Sequence, residues 1–260
     1  MTVMSELSET INFLEAQIPA NPQSEKHVRL ANRLERELVE YFKSLATAFD
    51  YSKLDSLYNK HIKESIGSEA EDIVDPILKV LKATLLQRLN SHLLVIYLSG
   101  QAEMISWGKT KGGIPLSYEG PPIQSAIKWA EKHCATLVTN MDTETKSKLA
   151  KIISEGIDNK RGIPGLARDI RTEFADMSKF RSQMIARTET ADALSQASLE
   201  SMQDMGIEGK EWVVNNPCEI CAANGDEGVI PVSQAFSSGD MAPPAHPNCV
   251  CAIAPARLSK

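Results

Sequence analysis

Apolar residues recur every three or four positions along the chain as far as Gly206, which is the spacing of one buried face of an α-helix. The first such face lies between about Gln23 and Asp50. It consists of Ala31, Leu34, Leu38, Tyr41, Leu45 and Ala48. The heptad-like run is shorter than three repeats, which favours a helix packed on its neighbours over an extended coiled coil.

A second apolar stripe predicts a long helix over about Glu69 to Ser99. Its members are Val74, Ile77, Leu78, Leu81, Leu85, Leu89, Leu93 and Ile96. Pro76 near its start is tolerated because the first helical N–H groups have no partner within the helix. A shorter helix is predicted between the two, over Tyr51 to Ile66.

Glycine and proline interrupt the pattern between Gly100 and Pro122, which predicts an exposed loop or linker. This segment contains Gly108-Lys109-Thr110, the last residues of a phosphate-binding loop. The earlier glycine of that motif is replaced by Glu103, and no predicted strand precedes it. We therefore expect no nucleotide site here.

After the interruption, the pattern predicts two helices over 123–138 and 143–158. Another helix restarts after Gly162. Ser178 is predicted to cap the last long helix, because its hydroxyl can accept a hydrogen bond from an unpaired N–H of the first turn. That helix is predicted to end at Gly206.

Beyond Gly206 the pattern changes to short β-type segments. Strands are predicted at Glu211–Val214, Gly228–Val232 and Cys251–Ala254. Turns are predicted at Asn224–Asp226 and Ser237–Asp240, because these segments are rich in residues that favour turns.

Composition narrows the class of protein. The chain has 260 residues, 42% of them hydrophobic, and its formal net charge is 28 − 34 = −6. This is enough apolar material for a packed core, so a disordered chain is excluded. The acidic balance argues against a protein that coats nucleic acid through a basic surface.

The beginning of the chain has no basic start or long apolar core, so we expect no secretory signal. The longest strongly apolar run, residues 93–98, is far shorter than the roughly 20 residues that span a bilayer. We therefore expect a protein of the cytoplasm without a membrane segment. Because thiols stay reduced in the cytoplasm, clustered cysteines there indicate metal ligands more strongly than they indicate disulfides.

Four of the five cysteines are clustered near the end of the chain, as Cys218-x-x-Cys221 and His246-x-x-Cys249-x-Cys251. Two thiolates three positions apart on a turn can both reach one ion at about 2.3 Å. Sulfur ligands with one imidazole nitrogen select Zn²⁺. Four protein ligands leave no open position for water, so the predicted site is structural rather than catalytic.

The fourth ligand is left open. Cys249 and Cys251 alternate along an extended segment and should face opposite sides. We favour Cys249, because its spacing from His246 mirrors that of Cys218 and Cys221, with Cys251 as the alternative. One or two disulfides are the competing interpretation. The remaining Cys134 is predicted to be an ordinary core or boundary residue.

The predicted fold class is mainly α, with long amphipathic helices followed by a small α+β C-terminal module that zinc stabilises. The predicted division is a helical N-terminal region over 1–118, a second helical part over 119–206 and a β-rich zinc-binding module over 207–260. A unit of about 50 residues buries little core, so a metal would explain how the module folds.

The C-terminal half resembles the Mu F-like head morphogenesis family of tailed bacteriophages, also described as minor head or minor capsid proteins. The resemblance rests on the Ala186-Arg187-Thr188-Glu189 helix, the Cys218-x-x-Cys221 pair and the ending Pro243-Pro-Ala-His-Pro-Asn-Cys-Val-Cys251. It covers roughly residues 140–256. Val250 departs from the family, which often has a basic residue there, but the proposed ligands are intact.

The resemblance implies a structural minor head protein that associates with the portal protein during assembly and is linked to DNA packaging or ejection. It also implies a structural zinc, and roles for Arg187 and Glu189 in fixing their helix against the zinc module. Major capsid or scaffold protein would be further partners, and residues 146–151 are a basic candidate for contact with phage DNA. Localisation would be the virion head, and the host cytoplasm during assembly.

An enzyme is the alternative. Related phage domains are sometimes fused to toxins, so a toxin or transferase with Arg187, Glu189 or His246 in a catalytic role is the competing hypothesis. An isolated Arg beside an apolar stripe is usually an ion-pair partner or a snorkelling side chain. Because the thiols are arranged as a cage and the HExxH pattern is absent, we expect no enzymatic activity.

Overall fold

A computed structural model describes residues 18–61, 69–114 and 123–258. Helices account for 70% of it, which confirms the mainly α fold class. The helices are α1 (Glu25–Ala48), α2 (Lys53–His61), α3 (Glu69–Thr110), α4 (Ile123–Asp158), α5 (Ile163–Asp176), α6 (Ser182–Asp204) and α7 (Glu219–Asp226). The strands are β1 (Gly209–Val213), β2 (Val229–Pro231) and β3 (Ala252–Ala256).

The two N-terminal stripes are largely buried as predicted. On α1, Leu34 and Leu38 are inaccessible to solvent, whereas Ala48 at its end is exposed. On α3, Leu89 and Leu93 are inaccessible. The helix predicted over 51–66 is present as α2, and its last residues, 62–66, lie outside the described residues.

The loop predicted from Gly100 to Pro122 is wrong over its first half, because α3 continues without a break to Thr110. Residues 115–122 of that predicted loop lie outside the described residues. Gly100 is buried, and a Cβ at this position would lie 3.1 Å from the Ala197 Cβ and 3.2 Å from the Leu194 Cδ2. Glycine therefore allows α3 to approach α6 closely, and this packing outweighs its low helix propensity. Residues 108–110 are the last turn of a helix and form no phosphate-binding loop.

The two helices predicted on either side of residues 139–142 are one helix, α4. Its buried face passes through the expected gap, since Val138, Met141 and Thr145 are all buried. The Thr145 hydroxyl donates to the Met141 carbonyl at 2.7 Å, so this polar residue can stay in a buried helical turn.

The capping role predicted for Ser178 is also wrong. Met177–Arg181 forms a single π-helical turn that joins α5 directly to α6, and Ser178 lies inside it. Arg181, which follows on the same turn, points inward and is 5% exposed. The extra residue per turn thus brings a guanidinium into the core.

The predicted end of the last long helix is confirmed. Gly206 has a φ of 67°. Its N–H donates to the Gln203 carbonyl at 3.1 Å, and the Ile207 N–H donates to the Met202 carbonyl at 2.9 Å. Glycine at this position satisfies the last carbonyls of α6 and reverses the chain.

The C-terminal segment forms a three-stranded antiparallel sheet with the order β2-β1-β3. Gly209 pairs with both Pro231 and Ala256. The predicted turn at Asn224–Asp226 is wrong, because these residues are the last turn of α7. The buried Asn224 amide donates to the Ser238 hydroxyl at 2.9 Å, so its side chain does not compete with the helix backbone.

Contacts group the described residues into two compact units. The first consists of the described residues within 1–34, 92–130 and 184–260, and the second of those within 35–91 and 131–183. The first unit contains the sheet and several hydrophobic clusters, and in one of them Val232 and Ile253 pack with Met104 and Met202. The predicted boundaries at 118 and 206 remain a prediction.

Candidate metal centre

The first pair of cysteines lies at the N-terminus of α7. Cys218 is the N-cap residue, and its Sγ accepts a hydrogen bond from the Cys221 N–H at 3.5 Å. This hydrogen bond lowers the pKa of the Cys218 thiol. Cys218 is exposed, whereas Cys221 is buried. The short helix therefore offers two sulfurs, one of them on the accessible side.

A turn before β3 carries the second group of side chains. The Cys249 N–H donates to the His246 carbonyl at 3.1 Å, and Asn248 adopts a φ of 60°. The Asn248 N–H also donates to the Thr188 hydroxyl at 3.0 Å, which holds this turn on α6. Sequence reasoning did not identify Thr188, although it lies within the Arg187–Glu189 motif.

The two groups meet at Cys221. Ligand atoms of Cys218, Cys221 and His246 all lie within 4.8 Å of one another, and so do those of Cys221, Cys249 and Cys251. The Cys221 and Cys249 sulfurs are 3.6 Å apart. Two thiolates bound tetrahedrally at about 2.3 Å would be separated by about 3.8 Å, so this distance suits a shared ion.

His246 is oriented as a zinc-binding imidazole would be. Its Nδ1–H donates to the Pro247 carbonyl at 2.8 Å. Because a carbonyl can only accept, this bond assigns the proton to Nδ1 and leaves the lone pair of Nε2 for a metal. Such a hydrogen bond is the usual second partner of a metal-binding histidine.

The buried thiols cannot all ionise without a cation. Burial raises the pKa of Cys221 to about 12. The hydrogen bond between Cys249 and Cys251 raises the pKa of Cys249 and lowers that of Cys251 to about 5. A bound divalent ion would lower all of these values, because it neutralises the thiolates together.

The Trp212 indole supports a thiolate at this place. Its N–H is buried and has no partner within full hydrogen-bonding geometry, but it lies close enough to the Cys251 thiol to lower the pKa of that thiol. Trp212 also packs edge-on against Phe236, with ring centroids 5.1 Å apart. A thiolate beside this N–H would accept a hydrogen bond from it and so offset the free-energy cost of burying the N–H without a partner. The donor set and its surroundings thus fit a zinc ion.

The structure does not choose between Cys249 and Cys251. Both sulfurs lie near Cys221, so the expected placement on opposite sides is wrong, because regular alternation begins only at Ala252, where β3 starts. All five cysteines are free thiols. The ligand set Cys218, Cys221, His246 and one of these two cysteines therefore stays a prediction.

The other residues that we singled out lie elsewhere. Arg187 is exposed and lines a cavity together with Cys249 and Val250, while Glu189 is half-buried on the same helix. Their role in fixing α6 against the module stays a prediction. Cys134 is buried on α4 and donates to the Leu86 carbonyl at 3.4 Å, as expected of a core residue.

Comparison with known proteins confirms the resemblance inferred from the motifs. Residues 143–254 match the family described as phage Mu protein F like protein. This range includes the π-helical turn, α6 and the candidate metal centre. No curated protein and no solved structure matches the chain significantly.

Proposed function

Because residues 143–254 match the family of phage Mu protein F-like proteins, we propose that the chain is a structural minor head protein of a tailed bacteriophage. On this proposal it associates with the portal protein during head assembly and is retained in the virion. Major capsid or scaffold protein are its other candidate partners. The observation that carries the proposal is the family match across the helix and the cysteine module together.

A structural zinc ion forms part of the proposal. Cys218, Cys221, His246 and either Cys249 or Cys251 would hold it, and it would connect the start of α7 to the chain that leads into β3. The ion would supply a crosslink and no chemistry. The grouping of soft donors around Cys221 and the unpartnered Trp212 N–H support it.

Contact with DNA is not part of the proposal. The basic candidate segment over 146–151 is neutralised within its own unit, since Lys146 pairs with Asp75 and Lys148 lies 3.1 Å from Glu144. Few cations remain there for phosphate groups.

Among the described residues, no helix is long and apolar enough to cross a bilayer.

Portal association is tested by co-expressing the chain with the portal protein encoded by the same phage and purifying the complex by size-exclusion chromatography. We expect co-elution, and incorporation into procapsids when capsid and scaffold proteins are added. A chain that elutes alone and is absent from purified heads would contradict the proposed function.

The zinc ion is tested by elemental analysis of the reduced, full-length protein. We expect about one equivalent per chain and its loss in the double variant Cys218→Ser/Cys221→Ser. Cys134→Ser is the matched control, because that buried cysteine lies outside the cluster. Single serine variants at Cys249 and Cys251 identify the fourth ligand. Full metal content in the double variant would rule out this site.

We also propose that the chain has no enzymatic role. The competing hypothesis assigns catalysis to Glu189 and Arg187. It predicts that expression is toxic to the host and that Glu189→Ala abolishes the toxicity. Toxicity that Glu189→Ala abolishes would overturn the structural assignment. Equal growth of hosts that express the parent chain and the Glu189→Ala variant would support it.

A further inference from the structure

A small cavity adjoins the candidate metal centre within the first unit and shares one lining residue with it, Cys249. Its volume is about 160 Å³. One wall is the start of α1 and the residues before it, including Gln23 and Asn32, and the opposite wall is Arg187 and Thr190 of α6. Val250, next to the metal-binding turn, closes a third side.

Thr190 lines this cavity and carries an unsatisfied donor. The residue is 1% exposed, and its hydroxyl has no hydrogen-bonding partner. Thr188, two residues earlier, donates to the Met184 carbonyl one turn back, as buried helical threonines usually do. A buried hydroxyl without a partner costs free energy, so its presence needs an explanation.

The charges around the cavity favour an anion. Arg187 is exposed, and no ion pair or hydrogen bond joins it to another residue in the described part of the chain. Gln23 and Asn32 add amide groups that can donate, and no aspartate or glutamate lines the cavity, where Cys249 is the one other ionisable residue. A guanidinium, amides and a hydroxyl are the groups that recognise oxyanions in proteins.

The wall next to the metal centre is fixed in place. The Asn248 N–H donates to the Thr188 hydroxyl at 3.0 Å, one helical turn from the cavity. This bond holds Cys249 and Val250 against α6. The cavity is therefore built from secondary structure and an anchored turn.

We infer that this cavity binds a phosphate-type oxyanion between Arg187 and Thr190. The guanidinium supplies the charge, the Thr190 hydroxyl donates a hydrogen bond from below, and the amides of Gln23 and Asn32 complete the site. Free inorganic phosphate and the phosphate of a nucleic acid share this chemistry. The inference does not depend on the proposed role in the phage head.

The test is isothermal titration of the full-length, zinc-loaded protein with inorganic phosphate, with chloride at matched ionic strength as the reference. We expect saturable binding to one site. Arg187→Gln should weaken it about tenfold or more, and Thr190→Val about fivefold, because each removes a hydrogen bond to a charged group. Arg257→Gln, which replaces an exposed arginine away from the cavity, should leave the affinity unchanged.

A second measurement separates binding from folding. Without phosphate, Thr190→Val should melt at the same temperature as the parent chain or higher, because it removes a hydroxyl that has no partner. Absence of binding at millimolar phosphate, or binding unchanged in both cavity variants, would overturn the inference. Competition by a short DNA duplex would assign the phosphate to nucleic acid, and failure to compete would assign it to the free ion; both results support the oxyanion site.

Discussion

Two buried cations show how single residues are accommodated in this chain. Lys210 on β1 is inaccessible to solvent, donates to the Met241 carbonyl at 2.7 Å and lies 5.2 Å above the Phe236 ring. No carboxylate pairs with it among the described residues. Burial lowers its pKa from 10.5 to about 8. Within the described residues, this charge is stabilised by a carbonyl and an aromatic ring and by no carboxylate.

The depressed pKa of Lys210 makes stability depend on pH. Below about pH 8 the amine is protonated in both the folded and the unfolded states, so its contribution is constant. Between about pH 8 and 10.5 the unfolded state binds more protons, so the free energy of unfolding rises with pH. We expect Lys210→Met to remove this rise, measured by denaturant unfolding across that range. The exposed Lys111→Met should retain it, and an identical slope in both variants would contradict the assignment.

Arg181 is the second buried cation and belongs to the second unit. Its guanidinium donates to the Thr145 hydroxyl at 2.9 Å, to the Met141 carbonyl at 3.3 Å and to Glu144 at 2.8 Å. Unlike Lys210, it has a carboxylate partner. Burial lowers its pKa, and Glu144 opposes that effect.

Replacing Arg181 should therefore be costly. We expect Arg181→Ala to lower the free energy of unfolding by about 2–4 kcal/mol, because it leaves buried partners without donors. Arg181→Lys should also destabilise, since an ammonium cannot span the same three acceptors. The exposed Arg168→Ala is the control and should change stability by less than about 0.5 kcal/mol. Equal effects at positions 168 and 181, measured by chemical denaturation, would show that the buried network contributes little.

At the scale of elements, close packing decides where helices continue. Gly100 lies in the interior of α3, and its missing side chain makes room for Ala197 on α6. In an isolated helix, alanine would be favoured over glycine by about 1 kcal/mol. Here the added methyl would lie 3.1 Å from the Ala197 Cβ, which cannot move without its helix.

We expect Gly100→Ala to destabilise the protein by about 1 kcal/mol, because overpacking outweighs the gain in helix propensity. Ala197→Gly provides the matched background, since it removes the nearest atom that the new methyl would meet, and the next nearest, the Leu194 Cδ2, is the end of a flexible side chain. In that background Gly100→Ala should no longer destabilise. The double-mutant cycle is measured by thermal or chemical unfolding. Additive effects of the two substitutions would exclude a direct contact.

The helices also show which features of the fold can be predicted from the sequence. Long stripes such as that of α3 predict buried faces well, because burial of a whole face dominates the energy of a helix. Local signals at Gly100, Ser178 and Asn224 predicted breaks that packing overrides. The grouping of His246 with the cysteines follows from spacing. The cavity beside Arg187 could not be predicted from spacing, because residues from three segments that are distant in sequence line it.

At the scale of the molecule, the described chain has more than one source of stability. In the first unit, Tyr97, Ala126 and Ala197 form a cluster that needs no metal. The module has a separate cluster in which Trp212 and Phe236 pack with the cysteines. The proposed zinc ion would directly stabilise the cluster that contains Trp212 and Phe236. It would affect the cluster around Tyr97 only indirectly, because the two clusters belong to the same unit.

Removal of the metal should therefore loosen one part of the molecule selectively. After chelation under reducing conditions, we expect amide hydrogen exchange to accelerate in α7, in the turn over 246–251 and in β3, because the crosslink between them is lost. Amides around Tyr97 and Ala197 should keep most of their protection, since none of the proposed metal ligands belongs to their cluster. Readdition of zinc should restore the slow exchange, and the Cys218→Ser/Cys221→Ser variant should resemble the chelated protein. Uniform loss of protection would instead mean that the whole fold depends on the ion, and unchanged exchange would mean that the module folds without it.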